Sequence, residues 1–303
     1  MRGHAEPTSD NLPTPLLSPE FLRKLEQAAI ASRHILVGRT KGERRSARRG
    51  SSVEFADYRS YSHGDDLRYV DWNAFARLDR MFLKLFVEEE DLHVYVLVDA
   101  SRSMDFGSPS KLEWARQAAA ALGYMSLCSG DRVQLFSHSA EGRDASRMFR
   151  GRGSTPELFR WLRGIEAAGE TDLQQAVRWV QNVAPAPGML FVLSDLLTPD
   201  WQAALSRLGA GQGDCCVMQL FSPSEFEPDA RGDVQLIDSE TREIVEMTMS
   251  PSVLRRYREG RDEFLHGVRT TAHRYGFSHL LAVTDESVED TILKSLRRLR
   301  VVK

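Results

Sequence analysis

Apolar positions along the chain fall into short runs separated by longer stretches with helical spacing. The densest run, Leu92 to Val98, holds apolar and β-branched residues with little polar alternation, which predicts a strand buried on both faces of a parallel sheet. It stops at Asp99. Shorter runs at Arg132–Phe136, Gly188–Ser194, Cys215–Leu220 and His279–Val283 predict further strands, and Ser146–Phe149 is expected to pair with the first of these as an edge. Between them, apolar residues recur at helical spacing over Lys111–Ser129, Pro156–Ile165, Asp172–Val183, Trp201–Leu208, Ser252–Tyr275 and Val288–Arg300. Val234–Met249 reads as a two-stranded insertion turning near Ser239-Glu240. Strands and helices alternating at these lengths predict an α/β fold, a doubly wound, mostly parallel sheet over residues 91–303.

The preceding third is patterned differently. Residues 1–17, with prolines outside any apolar period, predict a flexible tail. Ser18-Pro19 then suits a helix start, because serine caps free amides and proline fits the first turn. Phe21, Leu22, Leu25 and Ala29 give that helix an apolar face, and it is expected to fray out near Gly38. From Arg39 to Arg49 six basic residues stand against one acid, which predicts a solvated loop, with docking to an acidic protein surface or a polyanion as its functional reading. Residues 51–91 mix aromatics such as Tyr58, Trp72, Phe75 and Phe82 with opposite charges at Arg59, Asp65, Asp66, Arg68 and Asp71. The expectation is a small aromatic core and a structural charge network that clamps it to the next domain. Residues 18–90 thus group as an N-terminal helix, basic loop and charged aromatic region.

Composition narrows the function. The net charge of -3 gives the chain no overall preference for polyanions, and acids interrupt the basic residues throughout 51–91, so no nucleic-acid groove is expected. Three cysteines without ligand spacing, Cys128, Cys215 and Cys216, favour a reducing compartment and roles as small buried hydrophobes. No apolar run approaches the roughly 18 residues of a membrane span, and Met1 to Asn11 has no secretion-signal core, so a soluble cytoplasmic protein without membrane insertion is expected. A P-loop, an HExxH pair and a GxSxG elbow are absent. Gly209, Gly211 and Gly213 precede a strand rather than follow one, and read as a turn.

Candidate chemistry gathers where the first strand ends. Asp99, Ser101 and Ser103 alternate, so in extended chain one carboxylate and two hydroxyls face a common point, a set that suits a hard divalent cation. The run Gly188–Ser194 also ends in a carboxylate, Asp195, and ligands of such sheets sit beyond the C-terminal strand ends. An aspartate and serines after a strand also serve simply as helix caps. A phosphotransferase nucleophile at Asp99 would want a second carboxylate two residues on, where Ser101 stands. A metal-dependent phosphohydrolase using Asp99 is therefore the alternative to a binding role.

Glu54-Phe55, Asp57-Tyr58-Arg59, Tyr61, Gly64-Asp65, Arg68, Asp71-Trp72 and Ala76-Arg77, followed by Lys84 and the acids Glu88 to Glu90, closely resemble the signature of the bacterial domain-of-unknown-function family fifty-eight. Members of that family join this signature to a domain similar to the von Willebrand factor A module, and many are associated with AAA+ ATPases of the MoxR type. Some carry transmembrane helices ahead of the signature. Asp99-x-Ser101-x-Ser103, with Thr171 and Asp195 on later loops, resembles the metal-ion-dependent adhesion site of von Willebrand factor A domains. The resemblance implies that Ser101, Ser103 and Thr171 supply hydroxyl oxygens while Asp99 and Asp195 bind directly or through water. Magnesium, with manganese as the alternative, would keep an open position for an acidic side chain of a partner. The function so implied is a non-enzymatic, metal-dependent interaction module. Its expected partner is a MoxR-type AAA+ ATPase or a client of one.

Overall fold

The computed structural model describes residues 15–31, 53–88, 91–211, 213–240 and 242–303. The tail up to residue 14 and the basic stretch Arg39 to Arg49 lie outside the described residues. The chain divides into two units, Met1–Ser32 with His93–Lys303, and Arg33–Leu92. Helix α1 (Pro19–Leu25) starts as expected, with the Ser18 hydroxyl accepting from the Phe21 amide, but it ends well short of Gly38. It also belongs with the later unit rather than with residues up to 90. Phe21 and Leu25 are buried, Ile30 bridges to Val302 and the Tyr124 hydroxyl donates to Glu26 at 2.8 Å.

In the smaller unit, β1 (Val53–Ser60) pairs antiparallel with β2 (Phe82–Glu88), with a register shift between Phe55 and Asp57. Helix α2 (Trp72–Leu78) lies between them in sequence, and Asp71 caps it by accepting from the Asn73 and Ala74 amides. Among the described side chains of this unit, Tyr58 donates to Asp71 at 2.8 Å, Arg59 pairs with Asp65 and Arg68 with Asp66. Among the described side chains the expected aromatic core is open. Trp72 is 55% exposed and Tyr58 44%, and α2 has no buried residue. One short helix and a two-stranded ribbon have too little surface to enclose such rings.

The larger unit is built on β3 (His93–Asp99), β4 (Arg132–Ser139), β5 (Gly142–Ala145), β6 (Phe149–Arg150), β7 (Met189–Ser194) and β8 (Asp214–Phe221). A hairpin, β9 (Gly232–Ile237) and β10 (Ile244–Met249), and the last strand β11 (Ser278–Val283) follow. The sheet order is β11-β8-β7-β3-β4-β5, with β6 also on β4. The β3, β4, β7, β8 and β11 pairings are parallel, while β5 and β6 run antiparallel to β4. The edge differs from the expected Ser146–Phe149 pairing, because the Ser146 hydroxyl takes the place of a backbone carbonyl, accepting from the Leu135 amide at 2.9 Å and splitting the edge in two.

Helix α3 (Lys111–Cys128) is buried almost all round, which fits its alanine-rich sequence, and α1 and α4 (Thr155–Arg163) pack over it. On the other face α5 (Leu173–Val183), α6 (Trp201–Gly209) and α7 (Pro251–Tyr275) cover a core that includes Leu97, Phe136, Val192 and Val217. The helix expected over 288–300 is broken by a π-helical stretch, Thr291–Ser295. No helix among the described residues is long and apolar enough to cross a membrane.

From β3 the chain steps to β4 on one side, then returns to β7 on the other. The C-terminal ends of β3 and β7 therefore flank a topological switch point, the usual ligand position of an open α/β sheet.

Candidate functional site

Asp99 is the last residue of β3 and Asp195 follows the last residue of β7, so parallel pairing of these neighbours brings two carboxylates to one sheet end. Both are buried. Asp99 is fixed on both oxygens, Oδ1 accepting from the Ser101 amide at 2.9 Å and Oδ2 from the Ser194 hydroxyl at 2.6 Å. The Ser101 and Ser103 hydroxyls stand 3.1 Å apart, and Ser103 donates to Asp195 Oδ2 at 2.8 Å. Four of the five residues singled out in the sequence thus form one hydrogen-bonded network. After Asp195 the chain turns through Leu196 at φ 59, a left-handed conformation costing a non-glycine residue about 1–2 kcal/mol. Leu196 gains full burial there, and the Leu197 amide donates to Asp195 Oδ1 at 3.1 Å.

Thr171 comes from the loop ahead of α5. That loop is laced to the Asp99 turn by backbone bonds from Ala168 to Ala100 and from Arg102 to Gly169, both 2.9 Å. Gly169 has φ +66, and a Cβ there would stand 2.8 Å from Glu141 Cγ and 3.1 Å from the Glu141 amide, so the close approach needs glycine. Thr171 and Asp99 line the same small cavity of about 10 Å³, together with His138 and Asp172. The Thr171 hydroxyl itself donates to Glu240 at 3.0 Å.

Sequence reasoning missed Lys111. This first residue of α3 is wholly buried, and its ammonium donates to Asp195 Oδ2 at 2.7 Å and Glu225 Oε1 at 2.6 Å. Burial opposes the charge, but the Asp195 and Glu225 carboxylates outweigh it and hold the lysine above its ordinary pKa. The available signal was a lysine at the first position of a helix whose later turns, Ala118 to Leu122, are apolar all round. Its partners lie too far off in sequence to be read from spacing. Gln219, also missed, is buried on β8, and its side-chain oxygen faces His279 Nε2 at 3.0 Å.

Lys111 balances only part of the charge of Asp99, Asp195 and Glu225. Burial, and then the neighbouring Asp195 charge, push the Asp99 carboxyl up to about 6. Oxygens 2.8–3.1 Å apart have the spacing of adjacent ligands on a magnesium octahedron, about 3 Å for bonds of about 2.1 Å. The donors are all hard oxygens, and the surplus charge is negative, so the residues fit a hard divalent cation. Among the described residues no three His, Cys, Asp or Glu side chains cluster as a metal site, so a cation here would depend on the hydroxyls.

The fold and site define an α/β protein with a buried oxygen-rich centre at the switch point of a mostly parallel sheet. The family described as "Protein of unknown function DUF58" matches residues 57–264, and the chain belongs to it. Relatives include the uncharacterized protein Rv1480 of Mycobacterium tuberculosis H37Rv and Mb1516 of Mycobacterium bovis, each 26% identical over 262 residues, covering 84% of this chain and 80% of theirs. Among solved structures, BatB of Bacteroides thetaiotaomicron is 12% identical with a TM-score of 0.44, covering 69% of this chain and 98% of its own. The SpRpn10 VWA domain is 8% identical with a TM-score of 0.40, covering 68% and 95%.

Proposed function

We propose that this chain is a non-enzymatic protein-interaction module in which Asp99, Ser101, Ser103, Thr171 and Asp195 hold a magnesium or manganese ion that captures an acidic group on a partner. The observation that carries this reading is the buried Asp99–Asp195 pair, knit to hydroxyls at ligand spacing and left with more negative charge than Lys111 balances. The cation would supply a Lewis-acidic contact for a carboxylate. Ser101, Ser103 and Thr171 orient their oxygens, Asp99 and Asp195 supply the charge, and Lys111 anchors Asp195. The hydrogen bonds on both Asp99 oxygens fix that carboxylate in place, which supports a ligand role for it over use as a phosphohydrolase nucleophile. The family resemblance puts a MoxR-type AAA+ ATPase, or a client of one, first among partners, and a cytoplasmic setting goes with it.

A pull-down from the native lysate with wild type and Asp99→Ala, each in magnesium and in EDTA, tests the reading. Capture of an AAA+ ATPase only by wild type in magnesium is the expected result. Equal capture in all four conditions would remove the metal from the interaction.

A further inference from the structure

We infer that Glu240, at the tip of the β9–β10 hairpin, is a tethered carboxylate ligand of the site that occupies the place of a partner's acidic group. The inference rests on the cation reading above. Leu236, Ile237, Ile244 and Val245 leave the hairpin exposed on both strands, yet Glu240 at its turn is half-buried. Its Oε1 accepts from the Thr171 hydroxyl at 3.0 Å and its Oε2 from the Thr171 amide at 3.3 Å. A threonine that gives its proton to Glu240 has its lone pairs free for a cation. The 3.0 Å between the two oxygens is also the spacing of adjacent ligands on a magnesium octahedron, about 3 Å at bond lengths of about 2.1 Å.

The turn is built to present this carboxylate. The Asp238 amide donates to the Glu243 carbonyl and the Arg242 amide to the Asp238 carbonyl, at 2.9 and 3.0 Å, while the Glu240 amide donates to Asp238 Oδ1 at 2.9 Å. Arg242 takes φ 63 to close it. A carboxylate on such a tether acts at an effective concentration on the order of millimolar. A free carboxylate has to displace it, so the site selects partners that bring an acidic group together with further contacts, and the hairpin moves aside when they bind.

The test uses full-length wild type, Glu240→Ala and Asp99→Ala with Mn2+ as the ion and acetate as the carboxylate, read by water-proton relaxivity. Glu240→Ala is expected to bind Mn2+ with higher relaxivity than wild type, because water takes the position the carboxylate leaves. Acetate should then lower that relaxivity at concentrations roughly fivefold or more below those wild type needs. Mn2+ bound by Glu240→Ala but not by wild type would make Glu240 a group that shuts the site rather than a ligand in it, and would overturn the inference. Equal relaxivity and equal acetate response in the two proteins, with Mn2+ bound to both, would overturn the inference and leave the cation reading standing. Weaker Mn2+ binding by Glu240→Ala with an unchanged acetate response would make Glu240 a support for Thr171 and overturn it too. Binding no greater than that of Asp99→Ala in both wild type and Glu240→Ala would remove the cation reading, and the inference with it.

Discussion

Lys111, a buried charge, and His279, a half-buried neutral ring, show how single ionisable side chains govern this molecule. Lys111→Met keeps the side-chain volume but leaves Asp195 buried without its cation, and breaking a buried pair from one side costs about 3–5 kcal/mol. Urea unfolding should show a loss of that order, and a loss near zero would mean that Asp195 does not depend on the ammonium. His279 works through protons. Burial, helped by the charge of Arg269, lowers its pKa from 6.5 to about 4. Between those values the unfolded chain takes up a proton that the folded chain refuses. Stability is therefore complete above pH 6.5, falls as pH drops, and stops falling from this cause below about 4. The loss is on the order of 3 kcal/mol by the free energy of a pKa difference. His279→Asn should flatten that part of the stability profile, and an unchanged profile would contradict the assignment. The aspartate and serines of the site were legible because extended chain puts alternate residues on one side. Lys111, Gln219 and Glu240 were not, because each reaches the site only through tertiary pairing of segments remote in sequence.

At the scale of elements, β3 and β7 were legible because strands buried on both faces carry unbroken apolar runs that end where the polar site begins. The final helix was not. Its apolar spacing continues through the π-helical stretch that interrupts it, so periodicity alone shows no break. The membership of α1 was equally hidden, since the surfaces that bury Phe21 and Leu25 lie in the larger unit. The loop carrying Thr171 is the element on which the site's geometry turns. Gly169→Ala would force a side chain into the left-handed region at a cost of about 1–2 kcal/mol and press it against Glu141. We expect lower thermal stability and weaker manganese binding from this change. Unaltered manganese binding would show that Thr171 is not held by this loop conformation.

For the whole molecule, the parallel sheet gathers the ends of β3 and β7, the loop ahead of α5, the start of α3 and the hairpin tip around one buried centre. A ligand that binds only the folded state at 100 times its dissociation constant adds about 2.7 kcal/mol of stability, so magnesium should raise the melting temperature of wild type and EDTA should reverse the rise. The most direct test is a calorimetric titration of manganese into wild type and Asp99→Ala. One ion bound per wild-type chain, with no measurable binding by Asp99→Ala, is the predicted result. No binding by wild type, or equal binding by both proteins, would contradict a cation held between Asp99 and Asp195.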